Sequence, residues 1–350
     1  MEKMYDKNFM FIFITISSLA VSSTAQSNCE VQSNLPPDPV TGCCGKDVSG
    51  VQRVEDLQDL STRNDYRRSS NKSASFEDGI MPSRRISEGT ETELKQFPWI
   101  VYVETLFNPA DGSTGLTCGG SLISSRYVLT AAHCIHNDSL TMNSTRVTLG
   151  QYNLKTFPKD CKYVMGEEQC VENILIYVEE AIYHPNYYRD YLYHDIALLR
   201  LREHAPYTDF IRPICLPTFD IDQPEFANLP LQIAGWGRTD PQEMEMVSII
   251  KRQGVVKLVP NNECRKIYSS VNAFPVIRSQ LCTVGRNGEE GCTGDSGGPL
   301  MLLYKGTYYL VGIISGKTLI ASPKCHSSLP HLYMNVYQFQ AWINMHLKRI

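Results

Sequence analysis

The chain has 350 residues, a formal net charge of −4 at pH 7 and 20% charged residues. A weakly acidic chain without a basic run is poorly suited to neutralise phosphates, which argues against nucleic acid as its main partner. No stretch approaches the ~20 consecutive apolar residues of a membrane-spanning helix, so we expect no membrane anchor.

The first 25 residues have the layout of a cleavable signal peptide. Lys3 and Lys7 precede an apolar run from Phe9 to Val21, and small residues follow up to Ala25. A basic, then an apolar, then a small-residue region is typical of a secretory leader. We therefore predict cleavage after Ala25 and a secreted, extracellular protein.

Residues 26–85 differ in character from the rest of the chain. Their first part contains three cysteines, which are Cys29, Cys43 and Cys44. Ser, Asn, Arg, Asp and Glu dominate from Asp47 onward, and so few large apolar residues bury too little surface to offset the entropy of ordering the chain. We predict a pro-segment followed by a mobile linker that ends at the basic pair Arg84-Arg85.

Residues 86–350 are predicted to form an all-β domain with one terminal helix. Apolar runs predict strands in two groups. The first group is Trp99–Thr105, Ser121–Thr130, Arg146–Tyr152, Ile182–His184 and Ile196–Arg202. The second group is Leu231–Gly237, Val255–Val259, Gln280–Val284, Pro299–Leu303, Tyr308–Ser315 and Leu332–Val336. Lys305-Gly306 indicates a hairpin turn. Helical spacing within Tyr337–Lys348 is shared by Phe339, Trp342, Ile343 and Leu347.

Three motifs carry chemistry, and they occur in the order His, Asp, Ser. They are Thr130-Ala131-Ala132-His133-Cys134, His194-Asp195-Ile196-Ala197-Leu198 and Gly294-Asp295-Ser296-Gly297-Gly298-Pro299. A serine hydroxyl is a weak nucleophile at neutral pH unless an imidazole takes its proton and a carboxylate orients that imidazole. We predict these roles for Ser296, His133 and Asp195. The backbone N–H groups of Gly294 and Ser296 are the predicted oxyanion hole.

One such motif alone could be a turn or a packed core residue. Three in this order, each beside an apolar run, are much harder to obtain by chance. From about Ile86 to Ile350 the chain resembles the chymotrypsin-like serine proteases. The resemblance implies a trypsin-like fold of two six-stranded antiparallel Greek-key barrels with a C-terminal helix, an active site between the barrels, and hydrolysis of peptide bonds in protein substrates.

The same resemblance implies control by proteolysis at Arg85-Ile86. In this family, cleavage after a basic residue frees an apolar N-terminus, whose ammonium pairs with the aspartate before the nucleophile. Here Ile86 would pair with Asp295, and a buried charge pair that needs both partners makes a workable switch. The alternative is that Arg84-Arg85 is only a solvated basic pair.

Twelve cysteines in a secreted chain indicate disulfides, because that compartment is oxidising. Cys161 and Cys170 lie close together and are expected to pair locally. The resemblance implies three further pairs, which are Cys118–Cys134, Cys264–Cys282 and Cys292–Cys325. It also implies that Cys215 ties the domain to the pro-segment through Cys44 or Cys43, with Cys29 taking the one that remains. Many relatives have another disulfide at the positions of Leu231 and Leu302, and here both cysteines are absent together.

The N-terminal cysteines resemble the end of the pro-segment in arthropod clip-domain proteases. A full clip domain has six cysteines of its own, whereas three are present here, so the clip region is expected to be truncated or degenerate. The chain would then be a zymogen in an extracellular cascade of innate immune defence of the melanization type. The implied partners are an upstream trypsin-like activating protease and serpin-type inhibitors. The alternatives are a non-catalytic homologue that acts as a regulatory binding module and, within the enzyme class, a venom or digestive protease.

The predicted S1 pocket departs from the trypsin-like pattern. Glu290 stands where those members have Asp, and its carboxylate would still attract a substrate Arg or Lys. Ser315 begins the segment that lines the substrate, and Lys317 in the same segment could neutralise Glu290. His331 follows Pro330 where a glycine is usual. Its imidazole could fill the pocket or pair with Glu290, or else His331 and Lys317 face solvent.

Two further predictions concern the surface. Asn71, Asn137 and Asn143 each begin a sequon for N-glycosylation. No cofactor or metal is expected. A weak alternative is calcium in the loop of residues 151–170, which contains Asp160, Glu167 and Glu168, although solvated loop charges are the simpler interpretation.

Overall fold

The computed structural model describes residues 29, 33–49, 89–108, 114–164, 166–237, 247–271, 274–285, 295–316 and 329–347. The remaining residues, which include Arg85, Ile86, Glu290, Gly294 and Lys317, lie outside the described ranges. The regular secondary structure within those ranges is mostly β-strand, with two short α-helices. None of the described helices has the length and apolar character needed to cross a membrane.

The first barrel is closed and has six strands in the order β2-β3-β4-β9-β8-β5. The strands are β2 (Ile100–Asn108), β3 (Thr114–Leu122), β4 (Tyr127–Thr130), β5 (Thr141–Leu149), β8 (Ile174–Tyr183) and β9 (Ala197–Leu201). Burial alternates along β2 from Val101 to Asn108, as expected when one strand face points into a barrel. A disulfide-closed hairpin of β6 (Lys159–Val164) and β7 (Glu167–Glu172) projects between β5 and β8.

The second barrel has the strand order β11-β10-β13-β14-β15-β12 and closes through pairing of β11 with β12. Its strands are β10 (Leu231–Gly235), β11 (Arg252–Val259), β12 (Gln280–Gly285), β13 (Pro299–Tyr304), β14 (Thr307–Gly316) and β15 (His331–Asn335). A two-residue strand, β1 (Thr90–Glu91), adds to β11 from outside. The predicted all-β fold of two six-stranded antiparallel barrels is confirmed.

Several predicted element boundaries in the first barrel are wrong. The expected single strand Ser121–Thr130 is the end of β3 followed by β4, because the Ser124 hydroxyl accepts the N–H groups of Arg126 and Tyr127 and turns the chain. The expected strand Ile182–His184 is only the end of the ten-residue β8. Glycines at 115, 119 and 120 hid most of β3, since glycine is depleted in strands.

The helices differ from the prediction as well. Helix α1 (Asn261–Ser270) was not predicted, and it buries Cys264 and Tyr268. At the C-terminus a 3₁₀ turn precedes α2 (Gln340–His346), so the α-helix is shorter than the predicted Tyr337–Lys348. The predicted docking face is nevertheless confirmed, because Phe339, Trp342, Ile343 and Leu347 are all buried. The predicted Lys305-Gly306 turn between β13 and β14 is also present.

Residues 33–49 dock against both barrels, and we call them the tether. Cys44 forms a disulfide with Cys215, and Cys29 pairs with Cys43. The N–H of Gly45 donates to Pro213 O at 2.9 Å, and the Tyr308 N–H donates to Gly45 O at the same distance. Gly45 has φ 66°, and a Cβ there would collide with the Tyr308 carbonyl, so glycine is required. The tether therefore behaves as part of the folded domain.

Three more of the expected disulfides are present, namely Cys118–Cys134, Cys161–Cys170 and Cys264–Cys282. The pair expected between Cys292 and Cys325 lies outside the described residues. Leu231 and Leu302 are direct cross-strand neighbours of β10 and β13, and both are buried. Apolar packing thus occupies the position that a disulfide holds in many relatives.

Candidate active site

His133 and Asp195 form a hydrogen-bonded pair at the end of the first barrel. His133 Nδ1 lies 2.8 Å from Asp195 Oδ2, and the His133 backbone N–H donates to Oδ1 at 2.9 Å. The Asp195 side chain has no exposed surface, whereas His133 keeps 23% of its own. A buried carboxylate therefore orients an imidazole whose outer edge remains accessible.

The pairing of β4 with β9 brings these two residues together. Thr130 at the end of β4 pairs with Ala197 at the start of β9. His133 lies in the 3₁₀ turn that follows β4, and Asp195 lies just before β9. Neighbouring antiparallel strands thus place two residues 62 positions apart in one site.

The carboxylate of Asp195 also accepts a hydrogen bond from the second barrel. The hydroxyl of Ser315 donates to Asp195 Oδ2 in a short hydrogen bond, and it comes from β14 of the second barrel. From the sequence we predicted that Ser315 lines the substrate pocket, and we did not predict its hydrogen bond to Asp195. Three donors on one buried carboxylate fix its direction, which is the support an orienting aspartate needs.

Burial lowers the pKa of His133, while the charge of Asp195 and its hydrogen bond raise it. The net effect is a raised pKa, so the imidazolium form is favoured relative to a free histidine. An imidazole that is stabilised when protonated is suited to accept a proton and to return it later.

Ser296 lies where the two barrels meet. The Gly119 N–H of β3 donates to Ser296 O at 2.7 Å, and the Cys134 Sγ lies 3.8 Å from the same carbonyl oxygen. Gly297 adopts φ 79°, and a Cβ there would collide with the Thr130 hydroxyl. The glycine therefore permits the close approach that seats Ser296 against the first barrel. Gly294, the other predicted oxyanion donor, lies outside the described residues.

Asp295 is 3% exposed, and its carboxylate accepts the Gly237 N–H at 2.7 Å. A Cβ at Gly235 or Gly237 would collide with its carboxylate oxygens, so these glycines make room for it. Its predicted partner Ile86 lies outside the described residues.

The predicted pocket residues are only partly described. His331 is 4% exposed on β15 and pairs with Thr283 of β12, so a solvent-facing His331 is wrong. Its ring centroid lies 5.2 Å from that of Tyr333. Glu290 and Lys317 lie outside the described ranges, which leaves their part of the pocket as a prediction.

In the loop of residues 151–170, the buried carboxylate of Asp160 is hydrogen-bonded to neighbouring protein groups. Asp160 has no exposed surface, and its Oδ2 accepts the N–H groups of Tyr152 and Asn153 at 2.7 and 3.0 Å. The same oxygen accepts the Asn173 amide at 3.1 Å, and Oδ1 accepts the Thr156 hydroxyl. N–H and O–H donors surround both oxygens, so this carboxylate does not fit a calcium ligand. Glu167 and Glu168 are exposed.

The sequons have different surroundings. Asn143 is exposed on β5, whereas Asn137 is half-buried and its amide oxygen accepts the Ser139 N–H at 2.9 Å. Asn71 lies outside the described residues. Glycosylation at these positions stays a prediction, and Asn143 is the more accessible of the two described sites.

Comparison with known proteins supplies independent findings. The trypsin family model matches residues 86–343. Phenoloxidase-activating enzyme of Bombyx mori is 34% identical over 319 residues, which cover 88% of this chain and 64% of the relative. Melanization protease 1 of Drosophila melanogaster is 38% identical over 274 residues, which cover 75% of this chain and 66% of the relative. The chain thus spans about two thirds of the length of these curated relatives.

Solved structures agree with the fold. The structure of GrC has a TM-score of 0.57 and 28% identity, covering 73% of this chain and 97% of its own. HL collagenase has a TM-score of 0.58 and 27% identity, covering 74% of this chain and 98% of its own. Both similarities extend over nearly the whole of the smaller proteins.

Proposed function

The chain belongs to the trypsin family of serine proteases and resembles its arthropod clip-domain members, and from this premise we propose that it is a secreted serine endopeptidase zymogen of an extracellular immune cascade. The observation that carries the proposal is the His133–Asp195 pair, held at 2.8 Å and seated beside the Ser296 segment. This arrangement supports hydrolysis of peptide bonds without a cofactor.

In the proposed reaction Ser296 Oγ attacks the substrate carbonyl carbon while His133 accepts the hydroxyl proton. Asp195 stays ionised and stabilises the imidazolium. The N–H groups of Gly294 and Ser296 receive the oxyanion of the tetrahedral intermediate. His133 then returns its proton to the leaving amine, and water repeats the sequence on the acyl-enzyme to release the acid and regenerate Ser296.

Activation is proposed to follow cleavage after Arg85, which would free the Ile86 ammonium to pair with Asp295. The buried Asp295 carboxylate and the room that Gly235 and Gly237 leave for it support this assignment. Cleavage would not release the pro-segment, because Cys44 lies before the cut and Cys215 lies after it, so their disulfide joins the two pieces. The activator would be a trypsin-like protease, since it must cut after arginine.

A place in an immune cascade is supported by the relatives named for phenoloxidase activation and for melanization. Protein substrates follow from the family, and serpin-type inhibitors are the proposed regulators of such a protease. The signal peptide predicted for residues 1–25 supports secretion.

A second candidate is a non-catalytic homologue that serves as a regulatory binding module. The observation that favours it is the buried imidazole of His331 at a position where a glycine is usual, because a ring there narrows the predicted S1 pocket. The fold alone does not decide between catalysis and binding.

The deciding experiment cleaves the recombinant chain after Arg85 and profiles it on peptides varied at P1, with Ser296→Ala as the blank. Cleavage after Arg or Lys that vanishes in the blank would support a trypsin-like enzyme with Glu290 in an open pocket. Cleavage after another residue type would mean a rebuilt pocket. No activity above the blank, in a folded and correctly cut sample, would favour the regulatory homologue.

A further inference from the structure

The loop that leads into Asp195 has an unfavourable backbone conformation. Residues 188–194 form part of the connection between β8 and β9 and contain a 3₁₀ turn at Arg189–Tyr191. Leu192 and His194 then adopt φ angles of 52° and 53°. Leu192 is not one of the residues found most often in the left-handed region, which are Gly, Asn, Asp and His. Such a conformation persists only when the surroundings enforce it.

Gln280 supplies contacts that enforce it from the other barrel. This first residue of β12 has no exposed surface. Its Nε2 donates to the carbonyl oxygens of Tyr191 at 3.3 Å and Leu192 at 3.1 Å. Its Oε1 accepts the Ile277 N–H at 3.0 Å, which fixes the direction of the amide. One side chain therefore holds two successive carbonyls of the strained turn across the gap between the barrels.

Aromatic contacts join the same two segments. The Tyr193 hydroxyl donates to Pro275 O at 2.6 Å. The rings of Tyr191 and Phe274 stack with centroids 5.5 Å apart. Leu192 packs against the buried cluster around Tyr268 and Phe274, which belongs to the second barrel. These contacts make residues 188–194 and 274–280 one connected structure.

The loop also reaches the active site. Leu192 Cδ1 would lie 3.6 Å from a Cβ on Gly316, the residue that follows Ser315 on β14. Asp195 itself is held separately, by the His133 N–H and by the Ser315 hydroxyl. Loosening the loop should therefore alter the cleft wall at Leu192 more than it alters the orientation of Asp195.

We propose that Gln280 is a positioning residue for the substrate cleft, which acts by holding the carbonyls of Tyr191 and Leu192 so that the Leu192 side chain stays beside Gly316. The inference rests on the proposed endopeptidase function, because it concerns how an extended peptide is bound. It assigns no contact between Gln280 and the substrate.

The test uses the full chain cut after Arg85 and a near-isosteric variant, Gln280→Met, which removes the donor. The matched control is Gln232→Met, since Gln232 is also buried in the second barrel but lies on β10. KM and kcat are measured for a tetrapeptide amide and for a substrate that has only the same P1 residue. For Gln280→Met we expect about a 5- to 10-fold rise in KM for the tetrapeptide, as for one or two lost hydrogen bonds. Its kcat, and both constants for the short substrate, should stay within about twofold.

The outcomes are separable. If the wild-type chain shows no activity after it is cut at Arg85, the proposed function fails, and the result does not bear on Gln280. An unchanged tetrapeptide KM in Gln280→Met overturns the inference, and so does an equal loss on both substrates or the same effect in Gln232→Met. If Gln280→Met does not fold, Tyr193→Phe decides, because it removes only the bond to Pro275. A rise of about fourfold or more in the tetrapeptide KM, as for one lost hydrogen bond, supports the inference, and a smaller change overturns it.

Discussion

Two buried charged clusters in this protein are built on opposite principles. In the active site, Asp195 receives hydrogen bonds from His133 twice and from Ser315 once. Just before β11, Lys251 is 4% exposed, and its ammonium donates to Gln96 O at 2.7 Å. Burial lowers the pKa of Lys251 to about 8, and the charges of Asp47 and Asp160 offset this only in part.

The contrast shows what each cluster contributes. The carboxylate of Asp195 in the active site is surrounded by donors that fix its direction, which serves catalysis. Lys251 is a costly buried charge whose nearest opposite charges come from two different segments, one of them the tether. It makes the stability of the domain depend on the tether. Four experiments test this contrast, beginning with the largest expected effect.

Replacing Asp195 with Asn should abolish most activity. The amide keeps the shape of the carboxylate but stabilises the wrong imidazole tautomer, so kcat should fall about 10⁴-fold. The measurement is peptide hydrolysis by the cut enzyme, with Asp209→Asn, an exposed residue, as the control. Activity within tenfold of the wild type would remove Asp195 from its assigned role.

Removing the tether disulfide with Cys44→Ser and Cys215→Ser should lower the free energy of unfolding by about 5 kcal/mol, because the closed loop is long. The bond joins residues separated by 171 positions. The comparison is Cys161→Ser with Cys170→Ser, separated by nine positions, for which about 2.5 kcal/mol is expected. Urea unfolding measures both. A loss in the hairpin variant as large as that in the tether variant would contradict the entropic account.

Lys251→Met should change how stability depends on pH. The pKa of Lys251 is about 8 in the folded chain and about 10.5 in the unfolded chain. At a pH between these two values, the unfolded chain keeps a proton that the folded chain has released. Wild-type stability should therefore rise from about pH 8 to about pH 10.5, by roughly 1–3 kcal/mol, relative to the methionine variant.

Thermal unfolding across this pH range measures the difference. Lys257→Met is the control, because Lys257 lies nearby on β11 and is exposed. Parallel pH profiles for wild type and Lys251→Met would show that the buried ammonium does not titrate as assigned.

Ser315→Ala should have the smallest effect. It removes one of the donors to Asp195 but leaves both contacts with His133, so kcat should fall about tenfold. Ser125→Ala is the matched control, since Ser125 is also buried and its hydroxyl bonds to Ser33 O and His204 Nδ1 away from the site. Full activity in Ser315→Ala would show that its hydrogen bond is dispensable.

The sequence was most informative where a short local pattern carries the chemistry. The motifs around His133 and Asp195 predicted a pair that the barrel then assembles. The apolar identity of Leu231 and Leu302 predicted that no disulfide joins them, and they pack as neighbours. The apolar face of the C-terminal helix was also correct, because its helical spacing is local.

Contacts between distant segments could not be predicted in the same way. Ser315 reaches Asp195 across 120 positions, and nothing near Ser315 in the sequence indicates its target. Gln280 has no local pattern that suggests a bond to Tyr191 and Leu192. Most of strand β3 was missed because it contains glycines such as Gly119. A Cβ on Gly119 would lie 2.9 Å from the Cα of Gly298, so the close contact of the two backbones requires glycine there, although glycine is depleted in strands.

Docking of the tether onto the domain should not depend on the concentration of the protein. If the chain is cut after Arg85, its two pieces remain covalently joined through Cys44–Cys215, so docking of Gly45 and Asp47 becomes an intramolecular equilibrium. Its effective concentration is set by geometry, and dilution in a body fluid does not lower it. The piece that precedes the cut would stay bound to the protease domain wherever the cut protein diffuses. Asp47 would therefore keep its charge near Lys251.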